Sequence, residues 1–362
     1  MTTPPTESTR IGVDVGGTFT DVVLVADGDR HTAKVPTTTD QSVGVIEGIE
    51  KACDAAGIKP AAVDAFGHGM TVSVNALLER DGAKTALVTT AGFRDVLEIA
   101  RQDRPDLYDL DATKPDPLVP RNRRFEIDER ATTEGIEQPV DPDAVATLAN
   151  DIAATDAESI AVCLLHAYAH PENEQRVAET LREEVDVPVS ASHEVLPEFR
   201  EFERTATTVV DAYVTPAIDG YLTRLTEQAT AAGVPEPRVM QANGGIADSE
   251  TVSDHAVSTT LSGPAAGVVG AAATAADSAT AQPSVVTFDM GGTSSDVSLV
   301  RDGAAERTTE AEIDGVPIRT PMVDVTTVGA GGGSVAWVDS GGALRVGPES
   351  AGAEPEIGRA HV

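Results

Sequence analysis

The 362-residue sequence predicts a mixed α/β protein of about two domains. Apolar β-rich runs alternate with helical patterns over most of its length, which is the signature of an α/β fold. The chain opens on β-hairpins, so the sheet is expected to be mixed rather than purely parallel. One Gly-rich motif also occurs twice, at residues 14 and 289, an offset of 275 residues.

Residues 1–9, rich in Thr and Pro, read as a disordered leader. RIGVDV, DVVLVA and HTAKV then read as three strands, joined by GGTFT and by an Asp27-Gly28 turn signal. Val43, Ile46, Ile49 and Cys53 recur at helical spacing, and Gly57 ends that helix. VDAFGHG follows as a strand, TVSVNALLER as a helix and KTALVTT as another strand. Residues 101–130, rich in Pro and Arg, are expected to be irregular. Beyond them Val145, Leu148 and Ile152 mark a helix, SIAVCLL a buried strand, Val177, Leu181 and Val185 a helix, and VPVSAS a strand. A long helix is expected from about 197 to 232, kinked or restarted at Pro216.

The main boundary falls at 192–200, giving one lobe over 10–195 and a second over 196–353. The second holds RVMQAN (strand), the helix LSGPAAGVVGAAATAA, the strands SVVTFDM and SDVSLV, and a strand-like tail. The closing residues 354–362 read as an atypical tail.

Charge narrows the function. There are 59 Asp and Glu against 26 Lys and Arg, only five of them Lys, for a net charge of −33. Such a surface repels nucleic acid and anionic membranes. The acid is spread along the whole chain, as suits a salt-in cytoplasm where ~1 M salt screens charges within ~3 Å. The first ten residues lack a signal-peptide pattern, and no apolar run reaches the ~20 residues of a membrane helix. A cytoplasmic protein is expected. Cys53 and Cys163 read as reduced core thiols.

The repeat carries the chemistry. Asp14-Val-Gly-Gly-Thr-Phe-Thr-Asp21-Val22 and Asp289-Met-Gly-Gly-Thr-Ser-Ser-Asp296-Val297 are both DxGGTxxDV. Paired glycines (Gly16 and Gly17, Gly291 and Gly292) let backbone approach an anion closely, and Thr18 and Thr293 can add hydroxyl donors. A carboxylate at each strand end would repel phosphate unless a cation stood between them, so Asp14 and Asp289 suggest Mg²⁺. Two such hairpins facing across a cleft would clamp a polyphosphate. No Walker A loop is present. Gly331, Gly332 and Gly333 form a further cluster that could present N–H groups to phosphate, or simply a loop. His68, between Gly67 and Gly69, could polarise a substrate carbonyl or be a loop residue. Arg101, Asp103 and Arg104 could hold a carboxylated substrate or make surface ion pairs, and the charged start of the long helix reads as a solvated face.

With these motifs in hand, the chain resembles the hydantoinase A/5-oxoprolinase family. The matching segments include IGVDVGGTFTDVVL, NALLERDGAKTALVTTAGFRDVLEIARQDRPDLYDL, SHEVLPEFREFERTATTVVDAYV, LSGPAAGVVGA, TFDMGGTSSDVSLV and VGAGGGSVAWVDSGGALRVGPESAGA. The resemblance implies the actin-like ATPase (ribonuclease-H-like) fold, two lobes around a nucleotide cleft. It also implies ATP-dependent opening of a cyclic amide, by transfer of the γ-phosphate to the amide oxygen, in an oligomer with a hydantoinase B-type subunit. Asp14 and Asp289 would hold Mg²⁺, the Gly and Thr residues would grip phosphates, and Asp21 and Asp296 would brace the turns or reach the metal's waters. Two departures from the family pattern are HGMTVSVN for HGTTVATN, and Thr326 for His or Arg. The match ends after Ala353, so the second lobe is expected to be incomplete. The rival readings are the ATP-using subunit of a ketone carboxylase, which shares the scaffold, and an inactive remnant that binds nucleotide or partner.

Overall fold

The computed structural model describes residues 8–16, 19–103, 106–109, 111–278, 284–291 and 294–350. Its first sheet grows from strict alternation. In β1 (Arg10–Val15), Ile11, Val13 and Val15 are buried; in β2 (Phe19–Ala26), Val22, Leu24 and Ala26. β1, β2 and β3 (Asp29–Pro36) form an antiparallel meander. Helix α1 (Gln41–Ala56) lies across it, capped by the Asp40 side chain, which accepts from Ser42 N, and ended by Gly57 at φ 68°. Gly48 lets α1 approach closely, since a Cβ there would sit 2.7 Å from Val22 Cγ2.

β4 (Ala65–Gly69) then pairs parallel to β1 and leads into α2 (Val72–Leu78). A second sheet is wholly parallel: β5 (Thr85–Thr90), β6 (Arg124–Ile127), β7 (Ser159–Cys163) and β8 (Val189–Ala191), in the order β8-β7-β5-β6. Every residue of β5 and β7 is buried, as a parallel sheet covered on both faces requires. Helices α3 (Pro142–Ala153) and α4 (Glu172–Glu184) cover one face, and α5 (Glu201–Ala232) the other.

Helix α5 is the spine. It runs unbroken through Pro216, and every residue from Glu203 to Thr215 is buried. Val209 and Ala212 pack on the second sheet, while Val210, Tyr213, Val214 and Ile218 pack under the first. The chain then returns to the first sheet with β9 (Pro237–Met240), parallel to β4, and β10 (Ile246–Ala247), giving the order β10-β9-β4-β1-β2-β3. Residues beyond 195 thus complete the sheet that residues 10–69 begin, so a division at 195 separates chain segments rather than cores.

Helix α6 (Ser262–Ser278) bridges to the last large sheet, anchored by Ser262 Oγ donating to Met70 O at 3.1 Å. That sheet repeats the opening meander: β11 (Val285–Met290), β12 (Ser295–Arg301) and β13 (Val325–Val328), both flanking strands antiparallel to β12. Val285 and Val300 pack against Ala265 and Val268 of α6. Cys53 and Cys163 are free and buried, as the sequence suggested. No helix among the described residues is long and apolar enough to cross a membrane.

Candidate functional site

The described parts of the two motif copies have the same strand register. In the first, Asp14 pairs with Asp21, and Gly16 N donates to Phe19 O at 3.0 Å. In the second, Asp289 pairs with Asp296, and Gly291 N donates to Ser294 O at 2.9 Å. Alternation fixes their aim: inward Val13 and Val15 hold β1 in the core, which turns Asp14 to the opposite, solvent-open face.

Each turn is braced from outside. Gly16 O accepts from Thr37 Oγ1 at 2.8 Å, and Val15 O from Thr71 Oγ1, just before α2, at 3.1 Å. Gly291 O accepts from Gly332 N at 2.9 Å, and Ser295 Oγ donates to Ala330 O at 2.6 Å. The cluster Gly331, Gly332 and Gly333 is therefore folded against the second hairpin, with Ser334 N donating to Gly331 O at 3.1 Å.

Asp14 and Asp289 come from chain positions 275 apart, yet the fold brings their surroundings together: Asp14 lies against Gly69, and α6, bonded through Ser262 to the neighbouring Met70, runs beside Asp289. The Asp14 carboxyl is pushed above the ordinary carboxylate range by the protein around it, then by the charges of Asp21 and Asp289. Among the described residues, neither the Asp14 nor the Asp289 carboxylate has a side-chain hydrogen bond or ion pair, so no protein cation neutralises either of them. The second aspartates differ. Asp21 pairs with Lys34 at 3.0 Å, whereas Asp296 receives only the Thr327 hydroxyl at 2.6 Å, from the equivalent position on the third strand. Negative charge is thus less compensated on the second hairpin.

Gly17, Thr18, Gly292, Thr293 and Arg104 lie outside the described residues. His68 is not brought to this cleft. It is in register with Val13, on the core face of the sheet, and is fully buried. The Tyr221 hydroxyl of α5 pairs with its Nε2 at 2.8 Å, and burial pulls its pKa down to about 4. A neutral core histidine cannot reach a substrate on the other face. The member of that triplet that lies against Asp14 is Gly69, opposite it in the register: a Cβ there would lie 2.8 Å from Asp14 Oδ1. Sequence reading also passed over Gly267 of α6, where a Cβ would sit 3.5 Å from Asp289 Oδ2. Gly69 leaves the space that the Asp14 carboxylate occupies, whereas a Cβ at Gly267 would only touch Asp289, and their only sequence signal was membership of a Gly-containing strand end or helix.

Arg101 forms a two-point ion pair with Glu203, at 2.7 and 2.5 Å, so its guanidinium is already engaged. It lines a cleft of about 670 Å³ between residues 97–118, the start of α5 and the strand pair near Val316. The start of α5 is not wholly a solvated face. Arg204 is buried, with its guanidinium donating to Leu164 O at 2.7 Å and to Glu198 O at 2.9 Å.

Comparison with known proteins bears on this geometry. Residues 10–185 match the family model for the hydantoinase/oxoprolinase N-terminal region, and residues 204–361 the hydantoinase/oxoprolinase model. The chain is 37% identical over 361 residues to caprolactamase subunit alpha of Pseudomonas jessenii, covering 96% of this chain and 51% of that one. It is 36% identical over 382 residues to 5-oxoprolinase 1 of Arabidopsis thaliana, covering 96% and 30%. The crystal structure of the ATP-dependent caprolactamase from Pseudomonas jessenii superposes with a TM-score of 0.86 at 35% identity, covering 96% of this chain and 51% of that one. A nucleotide-free structure of acetone carboxylase, from work on ATP-dependent acetone carboxylation, gives 0.80 at 29%, covering 95% and 51%. The chain spans about half the length of these relatives, and less of the oxoprolinase. The meander order and its repeat are those of an actin-like ATPase fold, and the two family models together account for nearly every residue: the chain belongs to the hydantoinase/oxoprolinase family.

Proposed function

We propose that this chain is the ATP-using part of an enzyme that opens a cyclic amide, such as a hydantoin, 5-oxoproline or a related lactam. The observation that carries the reading is that two hairpins of the same register present Asp14 and Asp289 to one neighbourhood: Asp14 lies against Gly69, and α6, whose Ser262 is bonded to Met70, lies with its Gly267 beside Asp289. Two acidic groups in one cleft fit Mg²⁺, which takes few carboxylates and keeps waters and phosphate oxygens as its other ligands. Bound there, Mg²⁺ would supply charge neutralisation for a triphosphate. Among the described residues no cluster of three or more His, Cys, Asp or Glu suits a metal that wants an all-protein cage.

The chemistry follows from the substrate. An amide carbonyl is a poor electrophile, and its ring nitrogen a poor leaving group. Transfer of the γ-phosphoryl group to the amide oxygen breaks the γ-phosphate's bond to ADP and forms a phosphorylated imidate. Water then adds at the former carbonyl carbon, the ring C–N bond breaks with the nitrogen leaving as an amine that takes up a proton, and a second water hydrolyses the resulting acyl phosphate to carboxylate and inorganic phosphate. The chain's own contribution is positioning and electrostatics. The paired glycines Gly16, Gly17, Gly291 and Gly292, with Thr18 and Thr293, would surround the phosphates. Asp21, tied to Lys34, and Asp296 would hold the turns. We assign the enzyme to the cytoplasm, working in molar salt as an oligomer with a hydantoinase B-type subunit. His68 keeps only a structural part.

The test is ATP hydrolysis in 2 M KCl with hydantoin, 5-oxoproline and caprolactam, with and without the B-type subunit, beside Asp14→Asn and Asp289→Asn. Stimulation by one of the rings, and at least tenfold weaker Mg·ATP binding in either variant, is expected. Unchanged nucleotide affinity in both variants would sink the clamp. The resemblance to acetone carboxylase favours one second reading, a ketone carboxylase subunit, for which a ketone with bicarbonate, and no ring, would stimulate hydrolysis.

A further inference from the structure

The cleft beside Arg101 is separate from the hairpins: among the described residues, none of theirs lines it. Its volume of about 670 Å³ falls within the ~300–1,000 Å³ typical of small-molecule sites. Three stretches of chain meet there: residues 97–118, the first turns of α5, and the antiparallel pair Ala311–Ile313 and Val316–Ile318. Two arginines tie these walls to one another. Arg80 Nε donates to Asp314 Oδ2 at 2.8 Å and its Nη1 to Asp116 O at 2.9 Å, while Arg319 lies 3.6 Å from Glu198.

The lining is an apolar surface crossed by one polar seam. Leu97, Leu118, Phe202, Ala206, Val209 and Val316 supply the apolar part. The seam is the Arg101–Glu203 pair, Nε to Oε1 at 2.7 Å and Nη2 to Oε2 at 2.5 Å. These bonds use only some of the guanidinium's N–H groups and some of the carboxylate's lone pairs, so the pair still offers a donor beside an acceptor. A ring amide, whose C=O and N–H lie along one edge, complements that pattern. Charge then selects among ring amides. Five acids and two bases line the cleft, and both bases are engaged, Arg101 with Glu203 and Lys114 with Asp103 at 3.4 Å. A carboxylate entering would lose its water and meet no unpaired cation, which is unfavourable.

We propose that this cleft binds an uncharged cyclic amide carrying an apolar substituent, such as a 5-substituted hydantoin. The amide edge of the ring lies on Arg101 and Glu203, and the substituent lies on Phe202, Val209 and Val316. The choice of a cyclic amide rests on the reading of the chain as part of a ring-opening enzyme. The cavity, its paired charges and its bias against carboxylates do not. With neither hairpin in its lining, the cleft binds the ring and transfers no phosphate to it.

Two ligands with one ring separate apolar from anionic substituents: 5-benzylhydantoin and hydantoin-5-acetate, each titrated calorimetrically in 2 M KCl without nucleotide. The benzyl compound should bind at least tenfold more tightly and slow amide exchange over 97–103 and 312–317. Arg101→Leu should weaken it at least tenfold and leave Mg·ATP affinity unchanged. Where Arg101→Leu lowers the melting temperature, Val316→Trp carries the test with the same expected loss, because it fills the cleft from a partly exposed position and removes no ion pair. Glu203→Gln gives a readout that a packing role would not move: it releases the Arg101 guanidinium, so hydantoin-5-acetate should gain at least tenfold. The proposal is overturned if the benzyl compound does not bind, if the acetate binds the parent as tightly, if both cleft variants bind like the parent, or if Glu203→Gln brings the acetate no gain. It is also overturned if Asp14→Asn abolishes hydantoin binding, which would seat the ring between the hairpins. Failure of the ATP reading shows separately, as unchanged Mg·ATP affinity in Asp14→Asn with hydantoin binding still in place.

Discussion

Gly69 and Asp211 show how much single positions decide. Gly69 faces Asp14 across the β1–β4 pair, and Gly69→Ala would put a methyl group 2.8 Å from Asp14 Oδ1. The carboxylate would have to swing away. The expected result is at least tenfold weaker Mg·ATP binding, ~1.4 kcal/mol, with little change in melting temperature because no core contact is lost. Isothermal titration and a thermal melt on the same sample separate the two. Asp211, buried in α5, accepts hydrogen bonds from Ser190 Oγ at 2.7 Å and Val257 N at 2.9 Å, yet burial pushes its pKa up to about 6. Between its ordinary value of 3.8 and about 6, the folded state holds more protons than the unfolded one. This group therefore favours folding at low pH and costs about 2–3 kcal/mol once pH exceeds its folded pKa. His68 works in the opposite sense. Its pKa of about 4 lies below the ordinary 6.5, so its contribution rises as pH climbs through that window. Asp211→Asn should remove the first effect and leave the second, so the variant gains on the parent as pH rises from 4 to 7. Denaturant titrations across that range that gave parallel curves would contradict the assignment.

At the scale of elements, helix α5 joins the two large sheets, and its fit depends on small neighbours. Gly82, in the turn between α2 and β5, lies flat beneath Tyr213: a Cβ there would come within 2.1 Å of Cε1 of the ring, and Ala83 N donates to Tyr213 O at 2.9 Å. Gly82→Ala should cost about 1–3 kcal/mol by overpacking, read as a lower denaturation midpoint with unchanged slope. The elements themselves were legible. Alternation in RIGVDV and DVVLVA, the 3.6-residue spacing before Gly57, and the repeated DxGGTxxDV predicted β1, β2, α1 and both hairpins, with each Asp pair bracketing its turn. What local pattern could not carry was pairing at long range. Nothing within RVMQ says that β9 pairs with β4, some 170 residues earlier in the chain. Nor does the triplet Gly-His-Gly say which side chain faces the cleft; that follows only from the register of β4 on β1. Pro216 invited a break in the long helix, but burial of its flanks in two cores holds the helix continuous against a local cost of ~3 kcal/mol.

The whole molecule is governed by its charge. With 59 carboxylates and 26 Lys and Arg, no arrangement of ion pairs can neutralise more than 26 acids, so 33 negative charges remain however the side chains are placed. Most of the pairs that do form are at the surface, such as Lys84 with Asp156, each side chain at least half exposed, and such pairs contribute little. Self-repulsion in the compact state is relieved by dilution on unfolding, so low salt favours the unfolded chain. The screening length shortens from ~10 Å at 0.1 M to ~3 Å at 1 M. Stability should therefore climb steeply between 50 mM and 2 M KCl, by several kcal/mol, or ~1–2 °C per kcal/mol for a chain of this size. Potassium chloride could also stabilise by exclusion from the protein surface, which acts on any protein. Sucrose separates the two causes, because it is excluded without screening charge. A melting temperature that rises with KCl but barely with sucrose of equal osmolality identifies repulsion as the force being relieved. Equal gains from both, or a cooperative melt already as high in 50 mM as in 2 M KCl, would refute the adaptation to molar salt and leave the acidity as a barrier to nucleic acid and anionic membranes alone.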